Sequence, residues 1–303
     1  MSRIAWITIA AAVLGGVIAV GAILVSRDGS NSASPPVGTT TATRGFALPL
    51  AQDPAALALA KHAGNLLVGI AARAGGPIEV AALRAETPLA TDTLRFELDG
   101  TAAEASSCGN GCSRIDASVL DGAPSVLTVR DGSSELRFAL PARLPPSGDG
   151  LFARASRTMG ALRAYRFNEA LTSGRGGVAT EYEVQAPNRL SLRVRGTGAF
   201  RSVIIGRTRW DYHDGRWERS SFPGLKVADV LMWHRATHAR VVGHEANGVT
   251  DLAAFGLEPV PAWFRVSVEP SGRVVEAEMI AASHFMTHRY RDFNAPIEIK
   301  APK

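Results

Sequence analysis

Lysine is nearly missing from this chain. It occurs only at positions 61, 226, 300 and 303, and the other Lys/Arg positions are arginines, although the formal net charge over 303 residues is +5. With the many alanines this reads as a compositional habit, and no basic run is interleaved with aromatics, which argues against a nucleic-acid partner. Cysteine occurs twice, at Cys108 and Cys112, so lipid attachment to a cysteine just after an N-terminal leader is excluded. Catalytic signatures are missing too: there is no G-x-S-x-G elbow and no phosphate-cradling Gly-Lys-Ser/Thr loop. "HEANG" opens like a zinc-protease helix, but Gly248 stands where the second histidine is required. "DYHDGRW" lacks the alternating oxygen ligands of a calcium loop. His213, His234, His238 and His244 are scattered among expected strands and turns. These absences argue against an enzyme and call for no cofactor.

What is present begins with "IAWITIAAAVLGGVIAVGAILV", Ile4 to Val25, which carries no charge. As a helix it would span about 33 Å, enough for the hydrocarbon core of a bilayer. It exceeds the roughly 7–15 apolar residues of a cleaved signal, so we expect an uncleaved single-pass anchor over 1–26. Arg3 precedes it, and Arg27 is offset by Asp28, a bias toward an extracytoplasmic bulk. Residues 27–52, rich in Ser, Thr, Pro and Gly at first, read as a flexible tether. In an oxidising compartment Cys108 and Cys112, four apart with Gly109 and Gly111 between them, are expected to pair as a disulfide; free thiols or a metal site are the alternatives.

From Gly64 to Pro141, short alternating runs such as Leu94-x-Phe96-x-Leu98 are separated by Asp-Gly turns at 99–100, 121–122 and 131–132, the pattern of an antiparallel sandwich. "DPAALALAKHAG" before it reads as a short helix. "LPPSGDG" marks a boundary. Leu151, Phe152, Ala155, Met159 and Leu162 then recur at helical spacing, and a long series of strands follows.

This second half resembles the LolA-like lipoprotein-carrier fold, including the mycobacterial LppX/LprG type. The resemblance is carried by "LRAYRFNEALTSG", "TEYEVQAPNRLSLRV", "RSVIIGRTRWDYHDGRW", "PAWFRVSVEPSGRVVEAEM" and "YRDFNAPIEI". It implies a curved antiparallel sheet with helices in its concave side and a cavity for acyl chains or another hydrophobic ligand. The first half resembles the small Ig-like domains of the CopC/YtkA type through "AGNLLVGIAAR", the cysteine pair and "RFALPA"; residues 64–145 hold no His or Met, so copper binding does not carry over. The expected class is therefore mainly β with a few helices: an anchor (1–26), a linker (27–52), an Ig-like sandwich (53–146) and a LolA-like half-barrel (147–303). The expected role is a membrane-anchored carrier for a hydrophobic, lipid-like ligand. The alternative is a scaffold of an envelope complex, linked to copper handling.

Trp210, Trp217, Trp233, Phe264, Met279 and Phe285 either fill the core or line such a cavity. Arg193, Arg195, Arg207 and Arg209 form a solvated face or meet anionic headgroups. In "RVVEAEMIAASHFMTHRY", read as one strand, His284, Met286 and His288 fall on the side of Glu276 and Glu278, with Phe285 inward beside Met279. A bulge at Ala281-Ala282-Ser283 would reverse this. A His–Met–His row has donors that suit copper; partner contact and pocket lining are the other readings.

Overall fold

The computed structural model describes residues 10–13, 18–21, 47–174, 176–196, 199–257 and 260–303. Most of the expected anchor and most of the tether lie outside these. Within the anchor, β1 (Ala10–Val13) and β2 (Ile18–Gly21) pair as an antiparallel ladder where a helix was expected, with Gly15-Gly16 between them in sequence. No helix among the described residues is long and apolar enough to cross a membrane. The tether does not reach residue 52. A 3-10 turn at Pro49–Gln52 is held because Leu48 and Ala51 are buried against Leu67, Ala71, Ala81 and Leu83, and the Leu50 amide donates to Glu79 Oε2 at 2.8 Å.

Ten strands follow: β3 (Ala56–Ala63), β4 (Leu66–Arg73), β5 (Gly76–Arg84), β6 (Thr87–Pro88), β7 (Arg95–Leu98), β8 (Thr101–Ala103), β9 (Ser106–Gly109), β10 (Cys112–Val119), β11 (Ser125–Asp131) and β12 (Ser134–Leu140). They form two sheets, β3-β4-β5-β10-β9 with β6 beside β5, and β12-β11-β7-β8. Leu57, Val68, Ile70 and Val80 of the first meet Phe96, Leu127 and Phe138 of the second in one core. The sandwich is as expected, but the immunoglobulin arrangement is not: the first three long strands are consecutive neighbours in one sheet, whereas an Ig fold moves to the opposite sheet after its second strand. The expected helix at "DPAALALAKHAG" is strand β3. Alanine favours helix, but here period two wins: Leu57 and Leu59 face the sandwich core while Ala58 and Ala60 face the other way, onto a second apolar layer. Cys108 and Cys112 form a disulfide across the β9–β10 hairpin, with Cα atoms 5.0 Å apart.

Helix α1 (Asp149–Gly160) then buries Phe152, Ala155 and Met159 of the stripe expected from spacing, with Leu151 partly buried and Leu162 buried just past its end. Eleven strands complete the chain: β13 (Ala164–Thr172), β14 (Gly177–Gln185), β15 (Arg189–Arg195), β16 (Phe200–Ile205), β17 (Thr208–His213), β18 (Arg216–Ser221), β19 (Thr237–His244), β20 (Thr250–Gly256), β21 (Ala262–Val268), β22 (Val274–Ala281) and β23 (His284–Arg291). They make one antiparallel sheet, ordered β18 to β13 and then β23 to β19. Residues from both wings, among them Leu192, Ile204, Ala254 and Val266, share a core with α1 and with Val227, Val230 and Trp233 of the β18–β19 connection. The sheet therefore wraps these segments on its concave side, the half-barrel layout the resemblance implies.

The two units dock through the convex face. Across it runs a row in register, Phe255–Trp263–Ile280–Phe285–Thr172. Phe255, Trp263 and Phe285 are buried against Leu67, Ala71, Ala81 and Leu83. Strands β4 and β5 are thus covered on both faces, which is why "LLVGIAA" is a continuous apolar run instead of an alternating one. A Cβ on Gly69 would sit 2.0 Å from the Trp263 ring. Gly69→Ala is therefore expected to destabilise the protein by about 1–3 kcal/mol, the range for overpacking, in urea unfolding. In a Trp263→Leu background, which carries its own cost for the lost indole, the added cost of Gly69→Ala should largely disappear; a Gly69→Ala protein of native stability would show the contact to be soft.

Candidate functional site

Ala282 and Ser283 form the turn of a hairpin between β22 and β23, with Ser283 at φ 56°. The single strand expected over "RVVEAEMIAASHFMTHRY" is therefore two, and the parity reverses. Met286 pairs with Met279 and, with His288, faces the concave core; Phe285 pairs with Ile280 and faces outward, where His62 stacks on it at 3.9 Å. His284 shares the parity of Met286, and its Nδ1 lies 2.9 Å from the Ala282 carbonyl oxygen. The histidine row keeps one face, but His288 is not available as an open ligand. Its Nε2 lies 2.8 Å from Glu169 Oε2 and its Nδ1 lies 3.2 Å from the Tyr290 hydroxyl. Among the described residues no group of three His, Cys, Asp or Glu is arranged to hold a metal.

Glu169 and His288 are the centre of a buried polar chain. The Tyr182 hydroxyl donates to Glu169 Oε1 at 3.2 Å, and Trp233 Nε1 donates to the Tyr290 hydroxyl at 3.3 Å. Burial pushes the Tyr165, Tyr182 and Tyr290 phenols well above their ordinary range, so all three stay protonated at neutral pH. Glu169→Leu removes the acceptor facing His288 Nε2 and the Tyr182 hydroxyl, while His288 Nδ1 keeps the Tyr290 hydroxyl, at an expected cost of about 1–3 kcal/mol. In urea unfolding, Glu169→Leu combined with His288→Leu is expected to lose less than the sum of the single changes, since removing both partners of a buried bond relieves the unsatisfied group. Strict additivity would mean that the pair does not interact.

Of the expected cavity residues, Trp233, Phe264 and Met279 are buried in the concave core, with Trp233 edge-on to Phe152 at 5.4 Å, while Phe264, Met279 and Phe285 also border the cleft between the two units. Trp210 and Trp217 do not join them. By register with Val203 and Arg201 they lie on the convex face of the outer strands, where Tyr212 meets Trp217 edge-on. Arg193 and Arg201 border a second, polar groove of about 550 Å³ with Trp217, but Glu181 and Glu183 share it. Arg195 pairs with Glu181 at 2.8 Å on the solvated face, whereas Arg209 pairs with Asp211 at 2.8 Å on the opposite side of the sheet, in register with Ile204 and largely buried.

The large open volume lies between the two units. A cleft of about 1380 Å³ has its floor on the convex face and its walls on β3, β12 and the 141–146 connection. The wall residues include Leu57, Leu59, Leu136, Phe138 and Leu140, and the floor carries the row Ala253–Arg265–Glu278–Thr287–Ala170–Ala179. Strand β3 crosses this floor. At one end Arg240 holds it, donating to the carbonyls of Pro54, Ala56 (3.3 Å) and Pro145 (3.0 Å). At the other end Gly174 is so close to Gly64 that a Cβ there would meet its carbonyl oxygen at 2.1 Å. Beside the floor, burial works to raise the Asp251 carboxyl, but hydrogen bonds from the floor residue Arg265 (2.6 Å) and from Ser267 (2.7 Å) hold it below its ordinary value. The walls went unseen in sequence because β3 reads as a helix; the signal was present in the alternation of Leu57 and Leu59 with Ala58 and Ala60.

No family model matches the chain, and no curated protein matches it. Among solved structures, the chain is similar to LprF from Mycobacterium bovis, at 11% identity and a TM-score of 0.38, over 52% of this chain and 99% of that one. It is also similar to the lipoprotein LppX of Mycobacterium tuberculosis, at 13% identity and a TM-score of 0.39, over 50% of this chain and 98% of that one. At these scores neither likeness bears on function.

Proposed function

We propose that this chain is a non-enzymatic, extracytoplasmic binding protein for a hydrophobic, lipid-like ligand, held at a membrane by the apolar segment at 4–25. The sandwich (53–146) and the half-barrel (147–303) are taken as its two domains, and the ligand as lying between them instead of beneath the sheet. One observation carries this reading: the interdomain cleft is walled by aliphatic and aromatic side chains, and its volume of about 1380 Å³ exceeds the roughly 300–1,000 Å³ of ordinary small-molecule pockets. The Cys108–Cys112 disulfide supports an oxidising compartment. The concave side, where the resemblance would put the ligand, is occupied by Phe152, Met159, Val230 and Trp233. That filling favours a second reading, a scaffold for an envelope membrane-protein partner.

Native mass spectrometry of gently purified protein, with uptake of a fluorescent fatty acid, separates the two. Bound lipid and saturable uptake are expected. Ala170 and Ala179 are exposed on the cleft floor, so Ala170→Trp and Ala179→Trp should block uptake while leaving the unfolding midpoint unchanged. Repeated absence of ligand and of uptake would favour the scaffold. Membrane anchorage is tested separately: Ser32→Cys should react with an impermeant thiol reagent in intact cells, and labelling only after lysis would overturn the orientation.

A further inference from the structure

The convex face has a second open region, on the outer wing of the sheet from β15 to β18, and register fixes which side chains share it. Arg193 stands directly opposite Arg201, Arg201 opposite Tyr212, and Tyr212 opposite Trp217. The next row on the same face carries Val203, Trp210 and Arg219. The acids of these four strands, Asp211 and Glu218, have the other parity, and Asp214 lies in the turn beyond them. This part of the face therefore combines arginines with aromatics and holds no carboxylate of its own.

The acids of the neighbouring strand β14 are already engaged. Glu183 accepts from Arg166 at 2.9 Å and Glu181 from Arg195 at 2.8 Å. The Arg195 hydrogen bond above all, with Arg193 and Arg291 nearby, holds the Glu181 carboxyl below its ordinary value, so one carboxylate serves three guanidiniums. Arg193, Arg201 and Arg219 are exposed, and among the described residues no carboxylate hydrogen-bonds to them. Like charges directly opposite each other on adjacent strands are destabilising, and Arg193 and Arg201 are such a pair. The Arg201 guanidinium lies 4.4 Å from the Tyr212 ring centroid, and Tyr212 meets Trp217 edge-on at 5.1 Å. Trp210, Tyr212 and Trp217 are only half-buried.

We propose that this wing is a docking surface for an anionic lipid bilayer, with headgroup phosphates at Arg193, Arg201 and Arg219 and the rings of Trp210, Tyr212 and Trp217 at headgroup level. The cations are spread over strands that span about 14 Å at ordinary sheet spacing. A plane of many phosphates matches that spread, and one small anion does not. Arginine suits phosphate through paired, charge-assisted hydrogen bonds, and Trp and Tyr are the side chains that settle at membrane–water interfaces. The proposal goes beyond the cleft reading and does not depend on it.

The test uses the full chain with one added thiol, since Cys108 and Cys112 are paired. Ser221, exposed on β18 with the parity of Trp217 and Arg219, is changed to Cys and labelled with nitrobenzoxadiazole. Ser133→Cys, in the exposed turn between β11 and β12 of the sandwich, is the control. Vesicles of phosphatidylcholine are compared with vesicles containing about one-third phosphatidylglycerol. The Ser221 label is expected to brighten and shift to the blue on the anionic vesicles alone, and to lose that response in high salt. The Ser133 label should stay in water on both. Arg193→Gln, Arg201→Gln and Arg219→Gln together should lower the docked-to-free ratio by about fivefold per charge, equivalent to about 1 kcal/mol each, with an unchanged unfolding midpoint. The matching triple Lys variant should keep most of the response. No response of the Ser221 label, an equal response on neutral vesicles, an equal response of both labels, or a Lys variant as inert as the Gln one would each overturn the proposal. A Ser221 label that ignores vesicles but responds to soluble poly-L-glutamate would assign the face to an acidic protein and overturn it as well. In all these cases the cleft reading stands.

Discussion

Trp263 can lie flat against β4 only because position 69 carries no side chain, and the arrangement of the two units depends on that contact. The indole projects from the convex face of the half-barrel into a depression made of glycine and alanine, with Phe255 edge-on at 5.2 Å and Phe285 in the same row. Large side chains on one sheet meet small ones on the other, so the surfaces interlock at one row and diverge beyond it. Where they diverge, β3 and β12 stand over the alanines of the neighbouring row, and the cleft opens. The cleft is thus a geometric consequence of where the aromatic row ends.

The two faces of the large sheet solve different problems. The concave face is closed by α1 and by the connection bearing Trp233, and it accepts a polar chain from Tyr182 through Glu169, His288 and Tyr290 because nearly every member finds a partner. Such a chain specifies one packing and leaves little freedom for a guest. The convex face is apolar at the docking row and mixed at the next, where Arg265, Glu278 and Thr287 sit among alanines. A surface of that composition can stay wet or be covered by a chain with a charged end. On the proposed reading the ligand therefore lies between the units and not under the sheet.

Much of the architecture is legible in sequence, and the failures share a cause. Helix α1, the sandwich and the long antiparallel series follow from period and turn residues. The reversed face of Phe285 and His288 does not, because the turn at Ala282-Ser283 contains neither glycine nor asparagine; a serine at φ 56° leaves no compositional trace. Strand β3 was hidden by alanines, which it needs on the side that meets the other unit. The cleft could not be read at all, since its lining comes from segments as distant as Leu57, Phe138 and Ile280, joined only by docking.

Strands β3 and β12 are also the edges of their sheets, each paired on one side alone. Exposed edges invite strand addition, and inward-pointing charge is a common guard. Lys61 has that position: it rises from β3, crosses the seam and donates to the Arg137 carbonyl of β12, supplying a donor to an edge group that has no strand beside it. The seam is thereby held without being filled. Shorten Lys61 and the carbonyl turns to water or to another chain. A lysine at this place reconciles two demands that otherwise conflict, an apolar opening wide enough for a ligand and a pair of sheet edges that do not pair with a neighbour.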